Sequence, residues 1–247
     1  MGIFDFLRGE KGTPSDKQIK RAVAGLTETH GDPYRRRSAA DQLLEWGTPK
    51  ALRALLQRYT IQASSETVDT EEKKYLHDTL VRLGGRAVGP ILQYLHEEKE
   101  ISYSLSALSK LVKKEQFVEE LLKILSELDL RDPRDAPKKV ELLRHLRGHL
   151  DPRILDAALA HLIDIDDDVR LMAVDILADN GSEEIRTALI RSYLDSSDRP
   201  RVRTKVLELY SRAGWAVKGY RRQVEESIPD SYYMTKKGII VPRNKEN

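Results

Sequence analysis

Apolar residues recur at three- and four-residue steps along most of this chain and at alternate positions only near its end. The clearest stretch is "DDDVRLMAVDILADNG", residues 166–181, in which Arg170 is followed by Ala173, Leu177 and Gly181. The same spacing returns in "RPRVRTKVLELYSRAG" with Arg203, Val206, Tyr210 and Gly214, and in "DPYRRRSAADQLLEWG" with Arg36, Ala39, Leu43 and Gly47. Steps of this size place side chains on one face of a helix. Looser copies start at Lys73 (Leu76, Leu80, Gly84), at Ser104 (Ala107, Leu111, Glu115) and at Lys139 (Leu142, Leu146, Leu150). The anchor positions 36, 73, 104, 139, 170 and 203 therefore repeat every 31 to 37 residues, a period that signals a stacked repeat architecture.

Each copy predicts a helix with identifiable ends. Asp or Pro opens it, because Asp accepts from free N–H groups and Pro suits the first turn. Gly closes it by adopting a left-handed conformation. A second helix is predicted after each copy, over 48–59, 86–98, 115–128, 151–163, 182–194 and 216–227. Neither helix of a pair can bury its stripe alone, so neighbouring pairs must stack. The expected fold is all-α, a right-handed α-solenoid of about six helical pairs spanning 17–227. Residues 1–16 form an amphipathic segment and linker, and residues 228–247 a C-terminal tail. In that tail "SYYMTKKGIIVPR" changes period: Tyr232, Tyr233, Ile239, Ile240 and Val241 favour strand, and Lys236–Gly238 favours a turn. A short hairpin or extended tail packed on the last helices is expected, since an isolated hairpin is marginal.

The pattern Asp-x-x-Val-Arg-x2-Ala-x3-Leu-x3-Gly of residues 166–181, echoed at 32–47 and 199–214, resembles HEAT repeats of the short bacterial type, similar to those of phycobilisome lyases. The resemblance covers residues 17–227. It implies an α-solenoid whose second helices line a concave, protein-binding face. It also implies that the aspartate at the inter-repeat turn, here Asp166, pairs with the repeat arginine, here Arg170, in a polar ladder. It implies no particular reaction, because this fold carries many functions.

Composition narrows the choices. The chain has 247 residues, 40% hydrophobic and 33% charged but only 6% aromatic, a helix-favouring mixture. With 14 Gly and 10 Pro, helices must be short. There is no Cys, which excludes disulfides, thiolate zinc sites and cysteine nucleophiles. No apolar run approaches the ~20 residues of a membrane span, and "MGIFDFLRGEKG" does not read as a secretion signal because Asp5 interrupts its short apolar patch. A cytoplasmic location is expected.

Four aspartates in five residues, Asp164, Asp166, Asp167 and Asp168, raise the question of a cation site. A calcium loop beginning at Asp164 needs Gly at its sixth place and Glu at its twelfth, where Val169 and Asp175 stand. The acids fit a helix-capping turn better, which leaves Asp164 and Asp167 as candidates to face a partner. Glu141, His145 and His149 follow at four-residue spacing and could chelate a metal from one helical face; Gly148 suggests that the helix frays at His149. Neither arrangement establishes a metal site, and no cofactor is expected. "GGRAVG" (84–89) lacks the Lys-Ser/Thr ending of a phosphate loop. Trp46 and Trp215 flank the repeat glycines and are expected in the core.

The expected function is a non-catalytic protein-interaction scaffold or adaptor, with Arg53, Gln57, Tyr94, Lys123, Arg191 and Arg222 as candidate partner-binding residues because they interrupt or flank the apolar stripes of the second helices. Phe4 and Phe6 could cap the first repeat, dock into a partner or touch a membrane, and one such turn is a marginal membrane anchor. The alternative is nucleic-acid binding through the C-terminal repeats. Residues 199–247 hold twelve Lys/Arg against five acids, although the whole chain carries only +2.

Overall fold

The computed structural model describes residues 13–243; Phe4 and Phe6 lie outside them. The described chain is all-α apart from one small hairpin, with thirteen α-helices among the described residues. The described residues divide into two compact units, the first ending at Glu120 and the second beginning at Leu121.

In the first unit, α1 (Asp16–Leu26) precedes the expected pairs. Ser15 and Gln18 form a capping box at its start, and Ile19, Ala22 and Leu26 are its buried face. There follow α2 (Pro33–Trp46), α3 (Pro49–Leu55), α4 (Glu66–Leu83), α5 (Gly85–Glu97), α6 (Ser102–Leu111) and α7 (Lys114–Ser126), the last of which contains the division between the units. A 3-10 segment, Leu56–Thr60, continues α3. Asp32 accepts from the Tyr34 amide at 2.9 Å, Pro33 opens α2, and Gly47 closes it at φ 57°. In this unit α1 packs on α2, α3 on α5, and α4 on α6.

In the second unit the helices are α8 (Ala136–Leu146), α9 (Pro152–His161), α10 (Asp167–Leu177), α11 (Glu183–Asp195), α12 (Pro200–Ala213) and the short α13 (Arg221–Ser227). Here α10 touches α8, α9 and α12, and α11 touches α12. The chain ends in an antiparallel hairpin, β1 (Tyr232–Met234) with β2 (Ile240–Pro242), in the register Tyr232–Pro242, Tyr233–Val241 and Met234–Ile240. Ile240 is buried where β2 packs on α12. The Val217 amide donates to the Gly238 carbonyl at 2.8 Å, and Gly238 sits at φ 78°, so only glycine suits this close approach.

The predicted stripe is the buried one. Ala39, Leu76, Ala107, Leu142, Ala173 and Val206 are all in the core, as are Leu43, Leu80, Leu146, Leu177 and Tyr210; Leu111 alone of the second set is half-buried. Three expectations need correction. Gly181 does not end α10 in a left-handed conformation; instead a Cβ there would lie 3.3 Å from Cζ2 of Trp215, so the glycine makes room for the indole. Trp46 and Trp215 are half-buried rather than core, Trp215 meeting Tyr210 edge-on at 5.5 Å. Asp166 does not pair with Arg170: its carboxylate caps α10, accepting from the Asp168 and Val169 amides at 2.8 and 3.2 Å.

The anchor positions bury charge. Lys139 is fully buried and its Nζ meets Asp164, also fully buried, at 2.6 Å. In the first unit Arg58, 2% exposed, donates to Asp69 at 2.6 Å and to Glu72 at 2.8 Å, and Arg36 shares Glu72 at 2.9 Å. Breaking a buried pair leaves a desolvated charge and costs more than removing both partners. We predict that Lys139→Met lowers unfolding free energy by ~3–5 kcal/mol in urea titrations, and that Lys139→Met with Asp164→Leu recovers most of the loss. Equal losses in the single and double variants would contradict the burial of the pair.

Candidate functional site

Three of the residues singled out from sequence meet in the first unit. Arg53 of α3 reaches Glu97 at 2.6 Å and Glu98 at 2.9 Å, and Gln57 donates to Glu98 at 2.6 Å. The Arg53 guanidinium lies 4.8 Å from the centre of the Tyr94 ring, and the Tyr94 hydroxyl donates to the Glu100 carbonyl at 2.8 Å. The bond from Gln93, together with Arg53, holds the Glu97 carboxyl below its usual range. Tyr94 is fully buried, and the group as a whole latches α3 to α5. Lys123 is exposed on α7. Arg222 is exposed on α13 and pairs with Glu226 one turn on, at 2.7 Å.

Arg191 lies in a different setting. It lines a cleft of about 530 Å³ in the second unit, walled by Leu159, Leu162 and Ile163 at the end of α9 and by one face of α11. That face consists of Glu184, Thr187, Ala188, Arg191, Ser192 and Asp195, whose three- and four-residue steps keep them in one row. Arg170 of α10 closes one side. Ile163 is 69% exposed, an apolar side chain left in solvent on the cleft wall. The Arg191 Nε donates to the Tyr220 hydroxyl, and its guanidinium sits 5.6 Å from the centre of that ring.

The aspartate cluster builds this wall. Asp164 is held by Lys139, and its Oδ1 accepts from the Asp166 amide at 3.0 Å, which tightens the turn. Arg170 donates from Nε to the Asp164 carbonyl and from Nη1 to Ser196 Oγ at 3.1 Å. The Ile165 amide donates to the Leu130 carbonyl at 2.9 Å. The turn carrying Ile163 is thus pinned from inside. Asp167 pairs with Arg199 and Asp168 with Arg201, joining the start of α10 to the start of α12. Neither aspartate left over by the repeat template therefore stands ready for a partner, since Asp164 is internal and Asp167 is paired.

Among the described residues no group of three or more His, Asp or Glu side chains is placed to hold a metal ion. Glu141 bonds Arg144 and lies 3.6 Å from His145 Nε2, while α8 ends at Leu146 and Gly148 takes φ 88°, so His149 is off the helix. The basic C-terminal residues are partly neutralised, while the exposed Arg212, Lys236, Lys237 and Arg243 form no ion pair among the described residues. Arg199, Arg201 and Lys205 pair with Asp167, Asp168 and Asp175. Lys218, Arg221 and Arg222 pair with Glu183, Glu225 and Glu226, and Arg203 turns inward to Tyr193 and the Ser227 carbonyl. No helix among the described residues is long and apolar enough to cross a membrane.

Sequence reasoning missed Leu159, Leu162, Ile163, Glu184, Ala188 and Asp195. The signal was the row 184, 187, 188, 191 and 195 on α11, where polar and small residues run together at helical spacing without an apolar stripe. Comparison with protein-family models, with curated proteins and with solved structures finds no match to this chain.

Behind the cleft wall, His161 is buried, with Nδ1 2.7 Å from the Ala157 carbonyl and Nε2 without a partner. Burial pushes its imidazole below the ordinary range; the Ala157 bond and Asp164 oppose that shift and Lys139 adds to it. The unfolded chain takes up this proton near pH ~6.5 while the folded chain resists it, so the stability contribution is complete above that pH and declines as pH falls below it. We predict that urea midpoints drop between about pH 7 and about pH 5, and drop less in His161→Leu. Because His145 is shifted in the same direction by burial, the difference between the two proteins is the informative quantity. Parallel pH profiles would contradict the assignment.

Proposed function

We propose that this chain is a HEAT-like α-solenoid protein acting as a non-catalytic scaffold or adaptor, and that it receives a partner protein in the cleft between α9 and α11. The observation that carries the reading is the row of α11 residues facing an exposed Ile163 across an open cleft of about 530 Å³. Exposed apolar surface rimmed by polar groups is characteristic of interaction sites. One wall is the second helix α11 and the other the end of the second helix α9 with the turn that follows it, and second helices are the side that the resemblance assigns to partners. Several helices of equivalent order pack on one another within each unit, α3 on α5 and α4 on α6 in the first, α8 on α10 and α10 on α12 in the second, which supports a HEAT-like stack.

The cleft is framed by the buried Lys139–Asp164 ion pair and by committed side chains. Arg170 is engaged with backbone carbonyls and a serine. This suits recognition more than turnover, because a docking face needs walls that hold their shape. Pairing of six of the C-terminal basic residues with acids favours a protein partner over nucleic acid, whose binding draws on unneutralised cations along one face.

The test is capture from the native cell with tagged protein. Ala188→Arg, which fills the cleft, is expected to reduce recovery of the specific partner at least ~10-fold, while Arg37→Glu on α2 leaves it unchanged and both variants keep wild-type helicity. Unchanged recovery with Ala188→Arg would remove the cleft from the account. Duplex DNA is expected not to be retained even at about 50 mM salt; retention lost steeply between about 50 and 200 mM would favour nucleic acid instead.

A further inference from the structure

The cleft face of α11 carries its charge in an uneven order. Arg191 is turned to Tyr220, Arg170 to the carbonyls of Ile163 and Asp164 and to Ser196, and Glu183 faces Lys218 at 3.6 Å. Glu184 and Asp195 are exposed and form no ion pair among the described residues. They stand at the two ends of the cleft face, eleven residues apart by their numbering, which is ~16 Å or three turns of helix. Between them lie Thr187, Ala188, Arg191 and Ser192 on α11 and, opposite, Leu159, Leu162 and Ile163. The cleft therefore has an apolar patch in its middle, where Ala188 faces Leu159, Leu162 and Ile163, keeps the cations of Arg170 and Arg191 in its lining, and carries an unpaired carboxylate at each end.

We infer that this cleft takes an amphipathic helix of a partner protein, with an apolar stripe about three turns long and a lysine or arginine at each end of the stripe. The inference rests on the reading of the α9/α11 cleft as the docking face. A helix suits it because a helix satisfies its own backbone hydrogen bonds and presents only side chains. The side-chain row of α11 offers no ladder to an extended strand. The apolar middle supplies affinity, and the two carboxylates select and orient the ligand, since rim charges act mainly on specificity and encounter. Glu184 and Asp195 meet opposite ends of the incoming helix, so a ligand acidic at both ends is opposed twice.

The experiment uses the full chain and three labelled synthetic helices of roughly fifteen residues. One has leucines on one face and a lysine at each end of the stripe, about eleven residues apart; the second replaces both lysines by glutamate; the third keeps the lysines and replaces the leucines by serine. Fluorescence anisotropy is expected to show the lysine-ended helix binding at least ~10-fold more tightly than the glutamate-ended one, with the serine version losing binding. The double variant Glu184→Lys with Asp195→Lys, both at exposed positions, is expected to reverse the order of the first two. Equal binding of those two, the same order in the double variant, or no binding of the lysine-ended helix up to ~1 mM would overturn the inference. If the two helices bind equally and Ala188→Arg abolishes both, the docking reading stands and the charge assignment falls. If Ala188→Arg leaves the lysine-ended helix bound, the cleft itself is wrong.

Discussion

A cation carried into the interior near the start of a first helix, fastened to backbone carbonyls of a connecting segment, is the contact on which the rest of the structure depends. Arg36, Lys139, Arg170 and Arg203 are each the fourth residue of their helix. Arg36 donates to the carbonyls of Glu28 and Gly31, Lys139 to that of Asp129, and Arg170 to those of Ile163 and Asp164. Loop carbonyls withdrawn from water need donors, and a guanidinium supplies five in a fixed fork. Arg203 departs from the pattern, reaching forward to the Ser227 carbonyl at the end of α13 and to the Tyr193 hydroxyl, with its guanidinium 4.3 Å from the centre of that ring. In the α4 pair the anchor Lys73 is the eighth residue of a longer helix and pairs with Asp69 at 2.7 Å. There Arg58 of the preceding 3-10 segment donates to the Ile61 carbonyl at 3.2 Å and supplies the equivalent clamp.

The same clamps shape the cleft. Lys139 belongs to α8, yet by holding Asp164 it fixes the turn after α9, and Arg170 of α10 holds the same turn through its carbonyls. Ile163 is left outward because the residue after it is drawn inward. The exposed apolar wall of the cleft is thus the other side of a buried ion pair, and fold and candidate site share one cause. The α3–α5 latch of Arg53, Gln57, Glu97 and Glu98 does comparable work in the first unit without leaving an apolar side chain open to solvent.

Much of the fold was legible in the sequence because it is periodic. The stripe at plus three and plus seven marked the buried faces of α2, α8, α10 and α12, and Asp32, Asp151 and Asp166 marked helix starts. The first helix, α1, carried a readable sign in Ser15 and Gln18, but it lies outside the repeat and was not separated from it. What could not be read depends on contacts distant in sequence. Asp164 looks like one more acid in a polar turn until Lys139, 25 positions earlier, is found beside it. Gly181 has the template's spacing but answers to Trp215. The cleft was missed for a related reason: a functional row on a helix is recognised by what fails to cover it, and periodicity alone does not report that.

The central claim is that partners are received on the α9/α11 side of the second unit. Its most direct test places a photocrosslinking amino acid at Thr187, on the cleft face, or at Thr204, exposed on α12, with mapping of the crosslinked peptides after irradiation in the native cell. The account predicts that position 187 joins a discrete segment of one partner protein, helical, apolar in the middle and basic at its ends, while position 204 gives only scattered products. Crosslinks to a defined partner from position 204 and none from position 187 would contradict it.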